Sequence, residues 1–410
     1  MAILVINSGS SSVKYGLFGH SGEAAFSRGL VELSGGGQGR VREQVVARIL
    51  EQAQQDQGID AIGHRVVHGG AMFRHSVVVD GEVLERIHSL DHLAPLHNPA
   101  NRQGIAIALE CLPRTPQVAV FDTTFFNTLP ESAWRYALPR ALADEHQIRR
   151  YGFHGISHRY VVTETARLLA CSPASLRLIT LHLGNGASAA AVEGGRCVET
   201  SMGLTPQEGL VMGTRAGDLD PSILIYLQRH AGMSADALET LLNRESGLRG
   251  LCGESDMRLI RQRARNGDAD ARLAIDIFVH RLRKYIGAYL AVLGGADALV
   301  FTGGIGEHDA ALRSEVCAGL EGFGIRLDPR RNAAQAGVIS PDDGAMRVMV
   351  VPTNEELAIA RETQRCLADS PVALETPPRR SAAAPERAVR GQARGRGRLS
   401  RGKGSGNDRN

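Results

Sequence analysis

Short apolar runs, each broken by a glycine-rich or polar turn, set the pattern of this chain. Residues 2–6 form a β-rich run that stops at Asn7-Ser-Gly-Ser-Ser-Ser12, and Val13-Lys-Tyr-Gly-Leu-Phe18 resumes with the alternation of a strand. That spacing predicts a hairpin. A second one is predicted where residues 178–183 meet Gly184-Asn-Gly186 and continue through 187–192 to Gly194-Gly195. The chain therefore reads as two related halves. Between them lie His64-Arg-Val-Val-His-Gly-Gly70, a candidate helix after Asn98-Pro99, and the apolar run 117–121 that ends on Asp122. Elements of both kinds alternate, which predicts an α/β fold.

In the second half, Ile275, Phe278, Val279, Leu282, Ile286, Tyr289, Leu290 and Leu293 recur at helical spacing, with Arg281, Arg283 and Lys284 on other faces. A long amphipathic helix ending at Gly294-Gly295 follows from this. Residues 298–301 then read as a buried strand entering Thr302-Gly-Gly-Ile-Gly306-Glu307, a glycine-rich strand-end loop. A last strand, 346–351, leads to a helix that Thr353 or Asn354 caps, with Glu355 and Glu356 in its first turn.

Composition narrows the class. A chain of 410 residues, 43% hydrophobic, has length for two or three domains. Its apolar runs fall far short of the ~20 residues that span a bilayer. No basic region precedes the first run, so a secretory leader is not expected and a cytoplasmic address is. The six cysteines have neither disulfide-scaffold nor zinc spacing and read as reduced thiols, mostly in the core. Charge changes along the chain. Residues 371–410 hold nine arginines and one lysine against three acids, a net +7, which leaves −4 on residues 1–370. This Arg-Gly-rich tail lacks the apolar residues for a core and is expected to be disordered. It could attract nucleic acid electrostatically, though no aromatics are interleaved to stack on bases.

Three glycine-rich turns follow three apolar runs, at 7–12, 184–188 and 303–306, and each offers backbone N–H groups that a phosphate could approach. Three such turns point to a nucleotide, with ordinary hairpin turns the alternative for each. No G-x-x-x-x-G-K-[ST] motif occurs, and Gly184-x-Gly186-x-x-Ala189 is followed by strand-like residues, which argues against a dinucleotide fingerprint. Arg65 and Arg215 each sit in a glycine-bounded loop where a carboxylate or phosphate could reach the guanidinium; a surface ion pair is the alternative. Asp122, at a strand end, is a ligand-facing acid or a helix cap. His154 lies in the small-residue segment Tyr151-Gly-Phe-His-Gly155.

Taken together, these motifs resemble the acetate and propionate kinase family of the acetokinase, sugar kinase, Hsp70 and actin superfamily. The likeness runs through Asn7–Lys14, His64–Gly70, Leu93-Ala-Pro-Leu-His-Asn-Pro99, Val120-Phe-Asp-Thr-Thr124, Tyr151–Gly155, His182-Leu-Gly-Asn-Gly186, Met202–Pro206, Met212-Gly-Thr-Arg215, Thr302–Glu307 and Pro352-Thr-Asn-Glu-Glu-Leu357, spanning residues 3 to about 368. The resemblance implies duplicated actin-like (ribonuclease H-like) β/α domains with ATP in the cleft between them. The domains are expected at 1–150 and 151–370, with the final helix able to pack back on the first and the tail at 371–410. It also implies a homodimer, Mg²⁺ (or Mn²⁺), and reversible phosphoryl transfer between ATP and acetate or another short-chain carboxylate, giving acetyl phosphate. A non-catalytic ATP-binding module is the alternative from another class; Arg65, His154 and Arg215 together speak against it.

Roles follow from the same resemblance. Asn7 and Glu355 match metal positions and Lys14 would approach the phosphates. His182, Leu183, Gly184, Asn185 and Gly186, with Asp256, Met257 and Arg258, and with Gly304, Ile305, Gly306, Glu307 and His308, match nucleotide-binding segments. Arg65, Asp122, His154 and Arg215 match catalytic positions, and Arg65, Val67, Leu96 and Pro206 the acyl-substrate site. Gln207, Cys252 and His308 depart from the usual residues, and none removes a charged catalytic position.

Overall fold

The first six strands form one mixed sheet: β1 (Ile3–Ser8), β2 (Ser12–Phe18), β3 (Ala25–Glu32), β4 (Ala61–Val66), β5 (Val77–Val78) and β6 (Gln117–Phe121), in the order β3-β2-β1-β4-β6-β5. The computed structural model describes residues 1–9, 11–19, 25–33, 38–335 and 337–369, so the basic tail lies outside the described residues. Five strands form the second sheet: β7 (Arg177–Leu183), β8 (Ala187–Glu193), β9 (Arg196–Thr200), β10 (Ala298–Thr302) and β11 (Arg347–Val350), in the order β11-β10-β7-β8-β9. The two sheets share a plan. In each, an antiparallel meander of three strands gains two parallel strands on the free edge of its first strand: β4 and β6 beside β1, β10 and β11 beside β7. Parallel pairs need crossover helices that cover both faces, which is why β6 and β10 are buried at every position.

Both hairpins read from the sequence are present, with Asn7 opposite Lys14 in one and His182 opposite Ser188 in the other. The helix after Asn98-Pro99 runs Asn98–Cys111 with proline in its first turn. All eight apolar positions of the long helix face inward along Ala269–Leu293. Asp268 caps its start by accepting from the Ala271 N–H, and Gly294, at φ +63°, ends it. The last helix, Glu355–Asp369, is capped by the Asn354 carboxamide, which accepts from the Leu357 N–H at 3.1 Å. Its Leu357, Ile359, Ala360 and Leu367 pack on Ile3, Val5, Ala61, Val118 and Val120 of the first sheet. Gly63 permits that approach, because a side chain there would collide with Ile359 and Thr363.

Two sequence expectations are corrected. Residues 303–306 are not a loop: Gly303–His308 is a short helix. Gly303, at φ +76°, makes the sharp entry from β10, and the Glu307 carboxylate accepts the Gly303 N–H at 2.9 Å, which stabilises a turn that glycine content alone disfavours. The cysteines are all free, but only Cys197, Cys252 and Cys317 are buried. Cys111 ends a helix and Cys171 follows one, so both are exposed. Among the described residues no helix is long and apolar enough to cross a membrane.

Candidate active site

Three polar residues gather at the carboxyl ends of the parallel strands of the first sheet, where open α/β sheets hold ligands. Asn7 is near the end of β1, Arg65 near the end of β4, and Asp122 immediately after β6. Arg65 donates from Nε at 3.1 Å and from Nη2 at 2.5 Å to the same oxygen of Asp122, Oδ2, while its Nη1 lies 3.5 Å from Asn7 Oδ1. Asp122 is fully buried and its Oδ1 has no hydrogen-bond partner. Burial pushes the Asp122 pKa up, against the pull of Arg65. Burial works equally against the Arg65 charge, but Asp122, Glu355 and Glu356 outweigh it and hold its pKa above the ordinary value. Arg65 is therefore no surface ion pair. Nor is the Asp122 side chain a helix cap: Thr123 precedes the short helix Thr124–Thr128, and it is the Asp122 backbone carbonyl that accepts from the Gly155 N–H at 3.1 Å, at the start of the helix Gly155–Leu168.

Glu355 and Glu356 open the last helix. Glu356 is buried and forms an ion pair with Lys14 Nζ at 2.5 Å, so the Lys14 ammonium rests on this acid.

From the second half come two histidines and an arginine. His154 adopts φ +60°, rare for a residue with a side chain, as it turns into the helix Gly155–Leu168. Its ring stacks on His182 at 4.4 Å between centroids, and its Nδ1 lies 2.9 Å from Ser188 Oγ. The His182 Nδ1 lies 2.8 Å from Ser157 Oγ, which in turn lies 2.8 Å from Thr353 Oγ1. Arg215 donates from Nη1 to the Pro206 carbonyl at 2.8 Å. At the β7–β8 turn, a Cβ on Gly186 would lie 3.2 Å from His154 Nε2 and 3.7 Å from Arg215 Nη2, so the two groups converge over a bare backbone position. Burial, reinforced by His182, His158, Arg65 and Arg215, holds the His154 pKa well below its usual value. Burial likewise lowers His182 to about 4. Both rings are neutral at pH 7.

Two cavities adjoin this cluster. One, of about 500 Å³, is lined by Gly184, Asn185, Asp256, Met257, Arg258, Gly304, Ile305 and His308, eight of the residues singled out for nucleotide, and by Arg261, Arg265 and Asp309, which were not. Arg258 forks onto Asp256 and lowers its carboxyl pKa to about 2. Arg261 pairs with Asp309 and, at 2.8 Å, with Glu315, joining two walls of the cavity. Leu183 and Gly306 are instead buried. The Glu307 carboxylate turns to the backbone, accepting from Gly303 and, at 3.1 Å, Thr353 N–H groups. The other cavity, about 540 Å³, is lined by Leu96 and Pro206 together with His97 and Gln207. Val67 does not line it: it is buried in the core and its N–H donates to Asn101 Oδ1 at 3.0 Å. His97, held near pKa 4 by burial and by Arg65 and Arg215, was missed although it stands inside the Leu93–Pro99 motif. Among the described residues no group of three His, Cys, Asp or Glu is poised as a metal cluster.

The sequence profile of the acetokinase family matches residues 39–361. The chain belongs to that family. It is 52% identical over 389 residues to an acetate kinase of Streptomyces avermitilis, covering 88% of this chain and 96% of that protein. The structure is similar to that of Porphyromonas gingivalis acetate kinase, at 40% identity and a TM-score of 0.82 over 89% of this chain and 99% of the other. It is equally similar to a propionate kinase from Francisella tularensis, at 41% identity and a TM-score of 0.83 with coverage of 89% and 99%. As an acetokinase-family enzyme it is a phosphotransferase whose acceptor is a carboxyl group and whose donor is ATP.

Proposed function

We propose that this enzyme moves the terminal phosphoryl group of ATP reversibly onto a carboxylate oxygen of acetate, forming acetyl phosphate and ADP. The observation that carries the reading is the convergence of Arg215 and neutral His154 over Gly186, within electrostatic range of the Arg65–Asp122 pair.

A short carboxylic acid has a pKa near that of Glu, ~4.3, so it meets the enzyme already ionised and needs no general base. Asp122 accordingly acts as a positioning group: it fixes the Arg65 guanidinium and keeps Oδ1 free. The difficulty lies elsewhere, because two anions must be brought together while charge spreads over the moving phosphoryl group. Arg65 and Arg215 offset that charge. A neutral His154 adds a hydrogen bond without competing for the carboxylate's charge. Such donors act by preorganised electrostatics, and loss of one costs ~10²- to 10³-fold in rate.

The residues at the carboxyl ends of β1 and β6, with Glu355 of the last helix, fit Mg²⁺. Asn7, Glu355 and the unpartnered Asp122 Oδ1 are hard oxygen donors, and Mg²⁺ keeps several waters and takes only one or two carboxylates. Asn7 and Glu355 are the residues read as holding it. When bound, the ion would neutralise phosphate oxygens and orient the triphosphate. The nucleoside belongs in the cavity walled by Asn185, Asp256, Gly304 and Ile305.

Propionate is the second reading, favoured by the likeness to the Francisella enzyme. One methylene in an apolar pocket is worth only about 1–3 kcal/mol, so Leu96 and Pro206 do not decide acyl length. We also read residues 1–150 and 151–370 as two domains, since each half carries its own sheet. A cytoplasmic address accompanies the use of ATP. The homodimer reading draws support from the helix Ser222–Ala231, which buries none of its residues and exposes Ile223, Ile225 and Tyr226.

Hydroxamate trapping tests the whole reading: purified enzyme, ATP and Mg²⁺ with acetate, propionate or butyrate should yield an acyl phosphate, with the ratio of kcat/KM values naming the acid. No product from any of them would refute it.

A further inference from the structure

A continuous buried chain of hydrogen bonds runs from the second sheet to His154. Thr180 on β7, Ser188 on β8 and His158 from the helix Gly155–Leu168 are all fully buried. Thr180 Oγ1 lies 2.8 Å from His158 Nδ1, His158 Nε2 lies 2.8 Å from Ser188 Oγ, and Ser188 Oγ lies 2.9 Å from His154 Nδ1. Neither hydroxyl has another hydrogen-bond partner among the described residues.

The protons in this chain can be counted. Each ring is neutral, since burial lowers the His158 pKa to about 3 and holds His154 well below its usual value. Each therefore carries one N–H. Suppose the His154 proton were on Nδ1. It would donate to Ser188, Ser188 would donate to His158 Nε2, and His158 Nδ1–H would donate to Thr180. The Thr180 hydroxyl proton would then be buried with no acceptor. If both rings instead donated to Ser188, the Ser188 proton would be the one stranded. Only one arrangement pairs both hydroxyl protons, both nitrogens of His158 and the Nδ1 of His154: Thr180 donates to His158 Nδ1, His158 Nε2–H donates to Ser188, and Ser188 donates to His154 Nδ1. That order places the His154 proton on Nε2, the atom that faces Gly186 beside Arg215.

We infer that Thr180, His158 and Ser188 are positioning residues that lock His154 in the Nε2–H tautomer, so that a hydrogen-bond donor rather than an acceptor faces the transferring phosphoryl group. The inference deepens the kinase reading and rests on it. A lone pair at Nε2 would repel the phosphoryl oxygens, whereas an N–H there serves acceptor and leaving-group oxygens alike through either direction of the reaction. The three residues escape notice in the sequence because Thr180 and Ser188 look like ordinary strand residues. Only the arrival of His158 from a helix links them.

Selective ¹⁵N labelling of histidine in the intact enzyme tests this, with the His154 signals assigned by their loss in His154→Gln. At pH 7 the unaltered protein should show His154 protonated at Nε2 and bare at Nδ1. Thr180→Val, which keeps the shape and removes the donor, should give a mixture of tautomers and lower kcat by about 10-fold, with KM for ATP little changed. Thr180→Ser, which restores the hydroxyl, should recover both. A proton on His154 Nδ1 in the unaltered enzyme overturns the inference, as does a Thr180→Val variant with tautomer and kcat both unchanged. The tautomer is read without turnover, so it decides this point separately from an absence of acyl phosphate, which would sink the kinase reading instead.

Discussion

Arg65 places Nε and Nη2 on one oxygen of Asp122 and leaves the other, Oδ1, buried without a partner. An ion pair built only for stability would satisfy both oxygens, because an unmet buried acceptor costs about 1–3 kcal/mol. One-sided pairing therefore orients the guanidinium and holds an oxygen in reserve. Replacing Arg65 by alanine would strand a buried carboxylate and cost about 3–5 kcal/mol of stability, mixing folding with catalysis. Arg65→Lys is cleaner. It retains a charge near Asp122 but not the fork, and it should lower kcat by ~10²- to 10³-fold while the protein still melts cooperatively. Hydroxamate rates and a thermal melt check this together; a lysine variant with near-normal turnover would remove Arg65 from the mechanism.

Gly186 supplies a second test, because its bare backbone leaves room for whatever sits between His154 and Arg215. A Cβ there would lie 3.2 Å from His154 Nε2 and 3.7 Å from Arg215 Nη2, close but without backbone collision. Gly186→Ala should therefore fold and bind ATP but lose kcat, by about 10-fold or more for a displacement near 1 Å. Equal kcat in the variant would show that the reacting groups pass elsewhere.

Much of this arrangement could be read from the residues. Alternation in 13–18 and the helical recurrence from Ile275 to Leu293 are local signals, and local signals survive folding when one face is buried. Arg65, Arg215 and His154 drew notice because each stood in a glycine-bounded segment, and Asp122 because it ended an apolar run. What escaped depends on contacts distant in sequence. Nothing near Lys14 announces Glu356, whose helix Glu355–Asp369, far along the chain, packs on the first sheet. Val67, matched to the acyl site by the resemblance, follows the end of β4 at Val66 and is buried in the core. The helix Gly303–His308 is held by the Glu307 side chain against its glycines, a tertiary effect that outweighs propensity.

The buried histidines make stability depend on pH in a predictable direction. His64 is 2% exposed, 2.8 Å from Gln117 Oε1 through Nε2, and burial lowers its pKa to about 4. In the unfolded chain it titrates near 6.5. Between those values the unfolded state binds a proton that the folded state refuses, so stability falls as pH drops from about 6.5 toward 4 and is flat above that window. Each such group contributes up to ~1.4 kcal/mol per pH unit, and His68, His97 and His182, also near 4, act in the same sense. Denaturant titrations at pH 7, 6 and 5 should show a steady loss. His64→Gln should reduce that loss by about one group's share, and an unchanged slope would mean that His64 is protonated in the folded protein.

Gly304 tests where the nucleotide sits. It lines the 500 Å³ cavity, and a Cβ added to it would meet nothing within 4 Å, so a larger side chain extends into the cavity without disturbing the core. The position lies inside the helix Gly303–His308, where leucine is favoured over glycine by close to 1 kcal/mol, so Gly304→Leu should not destabilise the fold. Its isobutyl group would occupy space read as belonging to the nucleoside, in the cavity that Asp256 and Met257 also line. KM for ATP should rise by about 10- to 100-fold, equivalent to ~1.4–2.8 kcal/mol of lost binding, while KM for acetate and the melting temperature stay close to their original values. A rise in both KM values would instead indicate that the two walls have moved apart. An unchanged KM for ATP would place the nucleoside outside this cavity, and with it the assignment of Asn185, Ile305 and His308 would fall.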